Sequence, residues 1–178
     1  MSAPRAPEPD ILAILRDEGW IPRPPYTLPT TGGRWGIQVV GSPDSAGLAD
    51  FVSTAQTEPG LQVVSFPCAI SDPQSVWNAL VSARRHMATA LVVVRGGGDG
   101  LGVFDDPRVV RTLALWPTYT VLGVGHATDH VLAGQVVDHE AITPTAAAQW
   151  LIDARRRADS LPSRAQPTGW RWPRWRPG

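Results

Sequence analysis

The chain has 178 residues, 43% apolar and 18% charged. That is long enough to bury a core without disulfides or metals, and too ordinary for a fibrous or disordered protein. No apolar run approaches the ~20 residues of a membrane span. Residues 1–10 lack a signal-peptide stretch, and the single cysteine, Cys68, excludes an intrachain disulfide, so a reducing, cytoplasmic setting is expected.

Charge is zero overall but unevenly spread. All 16 basic residues are arginine. Residues 155–178 hold seven of them against Asp159 alone, a net of +6, and residues 1–154 carry −6. A basic tail on a mildly acidic body points to an anionic partner for the tail.

Residues 1–10 are Pro-rich and read as loose. Residues 10–19 read as a short amphipathic helix, capped by Asp10 and stopped by Gly19. Four prolines and two glycines make 21–33 a linker. Residues 1–33 are therefore expected to form an N-terminal arm, and 34–158 the folded body. Within the body, 35–40, 61–66, 88–94 and 119–124 read as strands. Residues 45–57 are compatible with a helix. Ser71-Asp72-Pro73, Asp105-Asp106-Pro107 and Thr143-Pro144 each open another, a capping side chain followed by a proline whose missing N–H costs nothing. The strands are continuous Val/Ile/Leu runs, as expected of strands buried on both faces. The expected fold is α/β, a mainly parallel sheet of about four strands sandwiched by helices. Residues 159–178 are expected to be a disordered Trp/Arg-rich tail.

Sites in parallel α/β sheets form beyond the carboxyl ends of the strands. Three segments qualify: 41–50, 95–100 and 125–130. Arg95 leads into Gly96-Gly97-Gly98. Glycines let a backbone aim N–H groups at an anion, and arginine adds a permanently charged fork. A flexible turn with a surface ion pair is the plainer reading. No Gly-Lys-Ser/Thr follows, so this is not the phosphate loop of nucleotide hydrolases. His126 and Asp129 are three residues apart, a spacing that lets a carboxylate orient an imidazole near its working pH. Alternatively, Asp129 caps a helix and His126 packs. His126, Asp129, His130, Asp138 and His139 are close in sequence, but the glutamate of a zinc-peptidase helix is missing between the first two histidines. No metal or other cofactor is expected. Cys68 follows Pro67 and reads as a small buried residue.

Taken together, these segments resemble the catalytic domain of the exonuclease VII large subunit, a bacterial nuclease of single-stranded DNA. The family's Thr-Ser-x-x-Gly-Ala-Ala-x-x-Asp segment is similar to 41–50, which ends at Asp50. Its Gly-Arg-Gly-Gly-Gly-Ser signature is similar to Val94 through Asp99, and its Phe-Asn-Asp to Phe104-Asp105-Asp106. Its Val-Gly-His-Glu-Thr-Asp motif resembles 124–129, and its Ala-Pro-Thr-Pro-Ser-Ala-Ala-Ala segment resembles 141–148. The resemblance covers about 34–152. It implies metal-independent phosphodiester hydrolysis, with Asp50, Arg95, His126 and Asp129 as catalytic residues. Ser42, Gly96, Gly97 and Gly98 are expected to hold the phosphate.

The chain also departs from the family. The glutamate of the histidine motif is Ala127, and a downstream aspartate is Gly134. With about 33 residues before the first expected strand and one helix and a tail after the last, counterparts of the family's oligonucleotide-binding domain and long helical region are not expected in these residues. That calls processive action and the small-subunit partner into question, and leaves room for a separate chain carrying an oligonucleotide-binding domain. Trp170, Trp172 and Trp175 interleave with Arg171, Arg174 and Arg176. Tryptophan faces can stack unpaired bases and arginines can pair phosphates. A sticky terminus without a role and a membrane-surface segment are the alternatives. The main expectation is a nuclease; the alternative is a non-catalytic DNA- or anion-binding module.

Overall fold

The computed structural model describes residues 10–23, 26–30, 33–96, 101–124 and 131–160. Helix α1 spans Ile11–Asp17; the Asp10 carboxylate accepts from the N–H groups of Leu12 and Ala13, and Gly19, at φ 78°, follows its end. Strands β1 (Trp35–Gly41), β2 (Leu61–Pro67), β3 (Ala90–Val94), β4 (Tyr119–Gly123) and β5 (His139–Ala141) alternate with α2 (Ala46–Ala55), α3 (Pro73–Ala83) and α4 (Pro107–Ala114). Helix α5 (Pro144–Ser160) follows β5. The caps are local and chemical. Ser45 accepts from Leu48 N–H, Asp72 from Gln74 and Ser75, Asp106 from Arg108 and Val109, and Thr143 from Ala146.

The five strands form one sheet in the order β2-β1-β3-β4-β5, and every pairing is parallel. The sequence leads one to expect about four strands. The fifth, His-Glu-Ala, is three residues long and has no apolar run to announce it; it exists by pairing with Val121–Gly123 of β4. A second difference concerns β2. Its apolar run suggests burial on both faces, yet it lies at the sheet edge and Val64 is 56% exposed. The chain leaves β2 through α3 and crosses to β3 on the far side of β1, so among the described residues no strand pairs with β2's outer side.

Two apolar layers enclose the sheet. On one face, α2 and α5 bring Leu48, Phe51, Leu151 and Ile152 onto Ile37, Val39 and Val92. On the other, α1, α3 and α4 bring Leu15, Leu80 and Leu113, with Trp116, onto Val40, Leu91, Val93 and Leu122. Leu15 is 0% exposed, so α1 belongs to this core; a fully buried leucine contributes about 1.5–3 kcal/mol.

Arg23 fixes the connection that follows α1. Its guanidinium donates to the carbonyls of Leu113, Trp116 and Thr118 and to the Thr120 hydroxyl, at 2.7 to 2.9 Å. It also pairs with Asp138 at 3.3 Å and lies over the Tyr26 ring. Burial lowers the Arg23 pKa, while the Asp138 carboxylate works to restore it.

The registers level the sheet at its carboxyl edge. Pro67 is the partner of Gly41, Val40 of Val93, Val94 of Gly123, and Gly123 of Ala141. All five strands therefore end in one row, and the segments after them leave along the same rim. Connections diverge between β1 and β3: the chain leaves β1 toward β2 and leaves β3 toward β4. That divergence is the switch point at which open α/β sheets form their ligand crevice.

Candidate active site at the carboxyl edge

The switch point is built by glycine. The first turn of α2 runs directly over the backbone that leaves β3. A Cβ placed on Gly47 would lie 2.8 Å from Gly96 Cα and 2.9 Å from the Arg95 carbonyl carbon. No side chain fits between these two backbones, and Gly96 presents none in return. Gly41, at the end of β1, is similarly tight, since a Cβ there would meet Val94 Cγ2 at 3.0 Å and its carbonyl oxygen at 3.2 Å. The β3 exit is tied to β4 as well, because Arg95 N–H donates to Gly123 C=O at 3.1 Å.

Arg95 thus sits between the ends of β1 and β4, and it is 6% exposed. Ser42 follows β1 and is half-buried; its carbonyl accepts from both the Ser45 N–H and the Ser45 hydroxyl. Together these bonds turn the chain from β1 into α2. Asp50 lies on α2, exposed, three residues beyond Gly47. Positions i and i+3 are neighbours on a helix surface, and helical side chains tilt toward the N-terminus. Asp50 therefore stands about one turn along α2 from Gly47.

The structure brings Gly47, Arg95 and Gly96 together; Ser42 follows β1 at the same edge and Asp50 lies on the exposed side of α2. Gly97, Gly98, His126 and Asp129 lie outside the described residues, as do Trp170, Arg171, Trp172, Arg174, Trp175 and Arg176. The anchors of the histidine segment are described. It leaves from Val124 and returns at Val131, which are 4% and 5% exposed.

Several neighbouring groups have other work. Asp138 accepts from Thr120 N–H and hydroxyl and pairs with Arg23. His139 stacks on Trp150, ring centroids 4.0 Å apart, and burial lowers its pKa. Cys68 is buried, and burial pushes its thiol up to about 11, the opposite of an activated nucleophile. Burial works to raise the Asp106 pKa, but the Arg108 side chain and the N–H groups of Arg108 and Val109 outweigh it and hold the carboxyl below the usual range. Among the described residues no three His, Cys, Asp or Glu groups are arranged to hold a metal.

Three features were not singled out from sequence. One is Gly47, which reads as an ordinary helix glycine. The second is Asp105, which reads as part of a helix start; its carboxylate accepts from Leu132 N–H at 2.7 Å. The third is Glu140. A side chain on Gly134 would run into the Glu140 carboxylate, 2.7 to 2.8 Å from the added Cβ. The space above Gly134, where the resemblance places an aspartate, is thus filled by another carboxylate of the same chain.

Comparison with known proteins identifies the pattern. Residues 28–168 match the family described as exonuclease VII, large subunit. The exodeoxyribonuclease 7 large subunit of Synechococcus sp. (strain CC9311) is 34% identical, over 93% of this chain and 45% of its own length. The protein of the same name from Tolumonas auensis is 38% identical, over 77% of this chain and 32% of its own. That from Thermotoga maritima is 33% identical, over 85% and 40%. The chain spans less than half the length of these relatives.

Proposed function

The chain belongs to the exonuclease VII large-subunit family, and from that premise we propose that it is a nuclease that hydrolyses phosphodiester bonds of single-stranded DNA without a metal ion. The observation that carries this reading is the buried Arg95 at the switch point, on a backbone crossed by α2 at Gly47 and bonded to the end of β4. In hydrolysis a water oxygen attacks phosphorus, the bond to the leaving sugar oxygen breaks, and negative charge builds on the phosphoryl oxygens. Arg95 and the N–H groups of Gly96, Gly97 and Gly98 would offset that charge, with Ser42 beside them. His126 would take the proton of the water or give one to the leaving oxygen, Asp129 would orient His126, and Asp50 would position water or serve as the second proton-transfer group.

The tail fits the same reading through reach. Helix α5 starts at the carboxyl edge after β5. It ends near the start of β1, where Arg155 Nε donates to Gly33 C=O at 3.0 Å. Returning along a seven-residue strand takes roughly 23 Å. The ten residues from Ser160 to Trp170 span at most about 33–36 Å. Trp170, Trp172 and Trp175, with Arg171, Arg174 and Arg176, can therefore reach DNA on the rim, where each stacked base adds about 1–3 kcal/mol.

The test is end-labelled single-stranded DNA incubated with the purified chain, with and without chelator, beside His126→Ala and Arg95→Ala. The proposal expects cleavage that survives chelation. It should fall ~10²–10⁴-fold in His126→Ala and ~10²–10³-fold in Arg95→Ala. Cleavage abolished by chelator overturns the metal-independent mechanism. Binding without cleavage, unchanged in His126→Ala, overturns the enzyme and leaves a DNA-holding module.

A further inference from the structure

Two rim segments carry most of the proposed machinery: the one after β3, with Arg95 and its glycines, and the one after β4, with His126 and Asp129. The described residues that flank them are bonded to each other on both sides. Where they leave the sheet, Arg95 N–H donates to Gly123 C=O. Where they rejoin described structure, a second bond closes the pair. Asp105 ends the 3-10 turn Leu101–Asp105 that completes the first segment, and Leu132 opens the 3-10 turn Leu132–Val136 that completes the second. The Asp105 carboxylate accepts from Leu132 N–H at 2.7 Å. Val131, which precedes that turn, supplies no side-chain cap.

From this we infer that Asp105 is a positioning residue for the nuclease reaction, setting the histidine segment against the Arg95 segment through Leu132. The inference rests on the nuclease reading above. It assigns Asp105 a role distinct from its neighbour: Asp106 bonds forward into α4 through the N–H groups of Arg108 and Val109, whereas Asp105 bonds across the rim to a residue 27 positions away. In this role Asp105 acts through Leu132 and not on the reacting atoms. It acts as a hydrogen-bond acceptor, and that defines what can replace it. An asparagine oxygen can accept the same N–H without a charge; alanine cannot.

The experiment compares wild type, Asp105→Ala, Asp105→Asn and Asp10→Ala. The last removes the helix cap on α1, outside the two rim segments, and reports what the loss of any capping carboxylate does. Steady-state cleavage of single-stranded DNA gives kcat and KM, and NMR follows hydrogen exchange at the Leu132 amide and the ring resonances of His126. Misplacing a catalytic group by about 1 Å costs ~10²-fold. Asp105→Ala should therefore lose ~10²-fold in kcat with KM little changed, lose exchange protection at Leu132, and shift the His126 resonances. Asp105→Asn should restore all three, and Asp10→Ala should leave kcat as it was. Wild-type kcat in Asp105→Ala overturns the inference while the nuclease stands. An Asp105→Asn as impaired as Asp105→Ala also overturns it, because the carboxylate would then be needed for its charge or proton. If wild type does not cut DNA, the nuclease reading falls and the NMR decides alone. In that case His126 resonances that shift in Asp105→Ala and return in Asp105→Asn support the coupling, and resonances that never move overturn it.

Discussion

Replacing Gly47 by alanine isolates the switch-point crossing from everything else in the fold. The added methyl would sit 2.8 Å from Gly96 Cα and 2.9 Å from the Arg95 carbonyl carbon, distances that real Cβ atoms do not show. Both neighbours are backbone, so no side chain can swing aside; α2 or the exit from β3 has to move. Overpacking of this kind costs about 1–3 kcal/mol. Against it, alanine in a helix interior gains roughly 0.5–1 kcal/mol over glycine. The net loss of stability is therefore about 0–2.5 kcal/mol. For a domain of this size that lowers Tm by no more than about 10 °C. Activity is more sensitive, because moving the backbone of Arg95 and Gly96 by about 1 Å misplaces the phosphate-holding groups and costs ~10²-fold. The expected signature is a protein that still melts cooperatively above room temperature and whose cleavage of single-stranded DNA falls ~10²-fold. Gly102→Ala is the matched control, since a Cβ there meets nothing within 4 Å and Gly102 has no positive φ. It should match wild type in both measurements. A Gly47→Ala variant with wild-type activity and a Tm raised by the helix propensity of alanine would show that the two backbones do not cross as described, and the switch-point argument would be lost.

Two further outcomes test the frame around the rim. Arg23→Ala leaves Asp138, whose side chain is 8% exposed, without its charge partner; breaking a buried pair from one side costs about 3–5 kcal/mol. Urea denaturation should show that loss, and a change below 1 kcal/mol would mean that Arg23 does not hold the connection after α1. Cys68 supplies a pH dependence. Its folded pKa of about 11 lies above the unfolded value near 8.5. The native state thus keeps a proton that the unfolded state gives up, and stability is lost as pH rises from about 8.5 through 11. The stability difference between wild type and Cys68→Ala should shift against wild type across that window. At pH 8 a thiol reagent should label the native protein far more slowly than the unfolded chain, and equal rates would refute the burial of Cys68.

What could be read from the sequence was whatever is decided within a few residues. Asp10, Asp72, Asp106 and Thr143 announce their helices because a cap needs only one side-chain oxygen two or three positions ahead of the N–H groups it serves. The Val-rich strands announce themselves because apolar runs of that length favour burial, although β2 at the sheet edge meets that rule only in part. Once the strands are parallel, their exits share one edge, so Arg95 and the segment bearing His126 could be assigned to a common rim before any coordinates. The features that shape the rim are bonds across large gaps in sequence, and no local pattern encodes them. Strand β5 is defined by its partner β4, not by His-Glu-Ala. Gly47 is an unfavourable helix residue until Gly96, 49 positions on, is seen to need its space. Arg23 lies in a stretch that reads only as a Pro-rich linker until the carbonyls at the end of α4 and the start of β4 are found around it. Asp105 and Asp106 look interchangeable as a pair, yet one caps the next helix and the other bonds across to Leu132. Gly47 violates a local preference and Asp105 duplicates a neighbour's role, and in both the explanation is a backbone group distant in the chain. In a fold whose strands follow their local rules, a residue that breaks or repeats such a rule is therefore where long-range contacts, and with them the geometry of the rim, should be sought first.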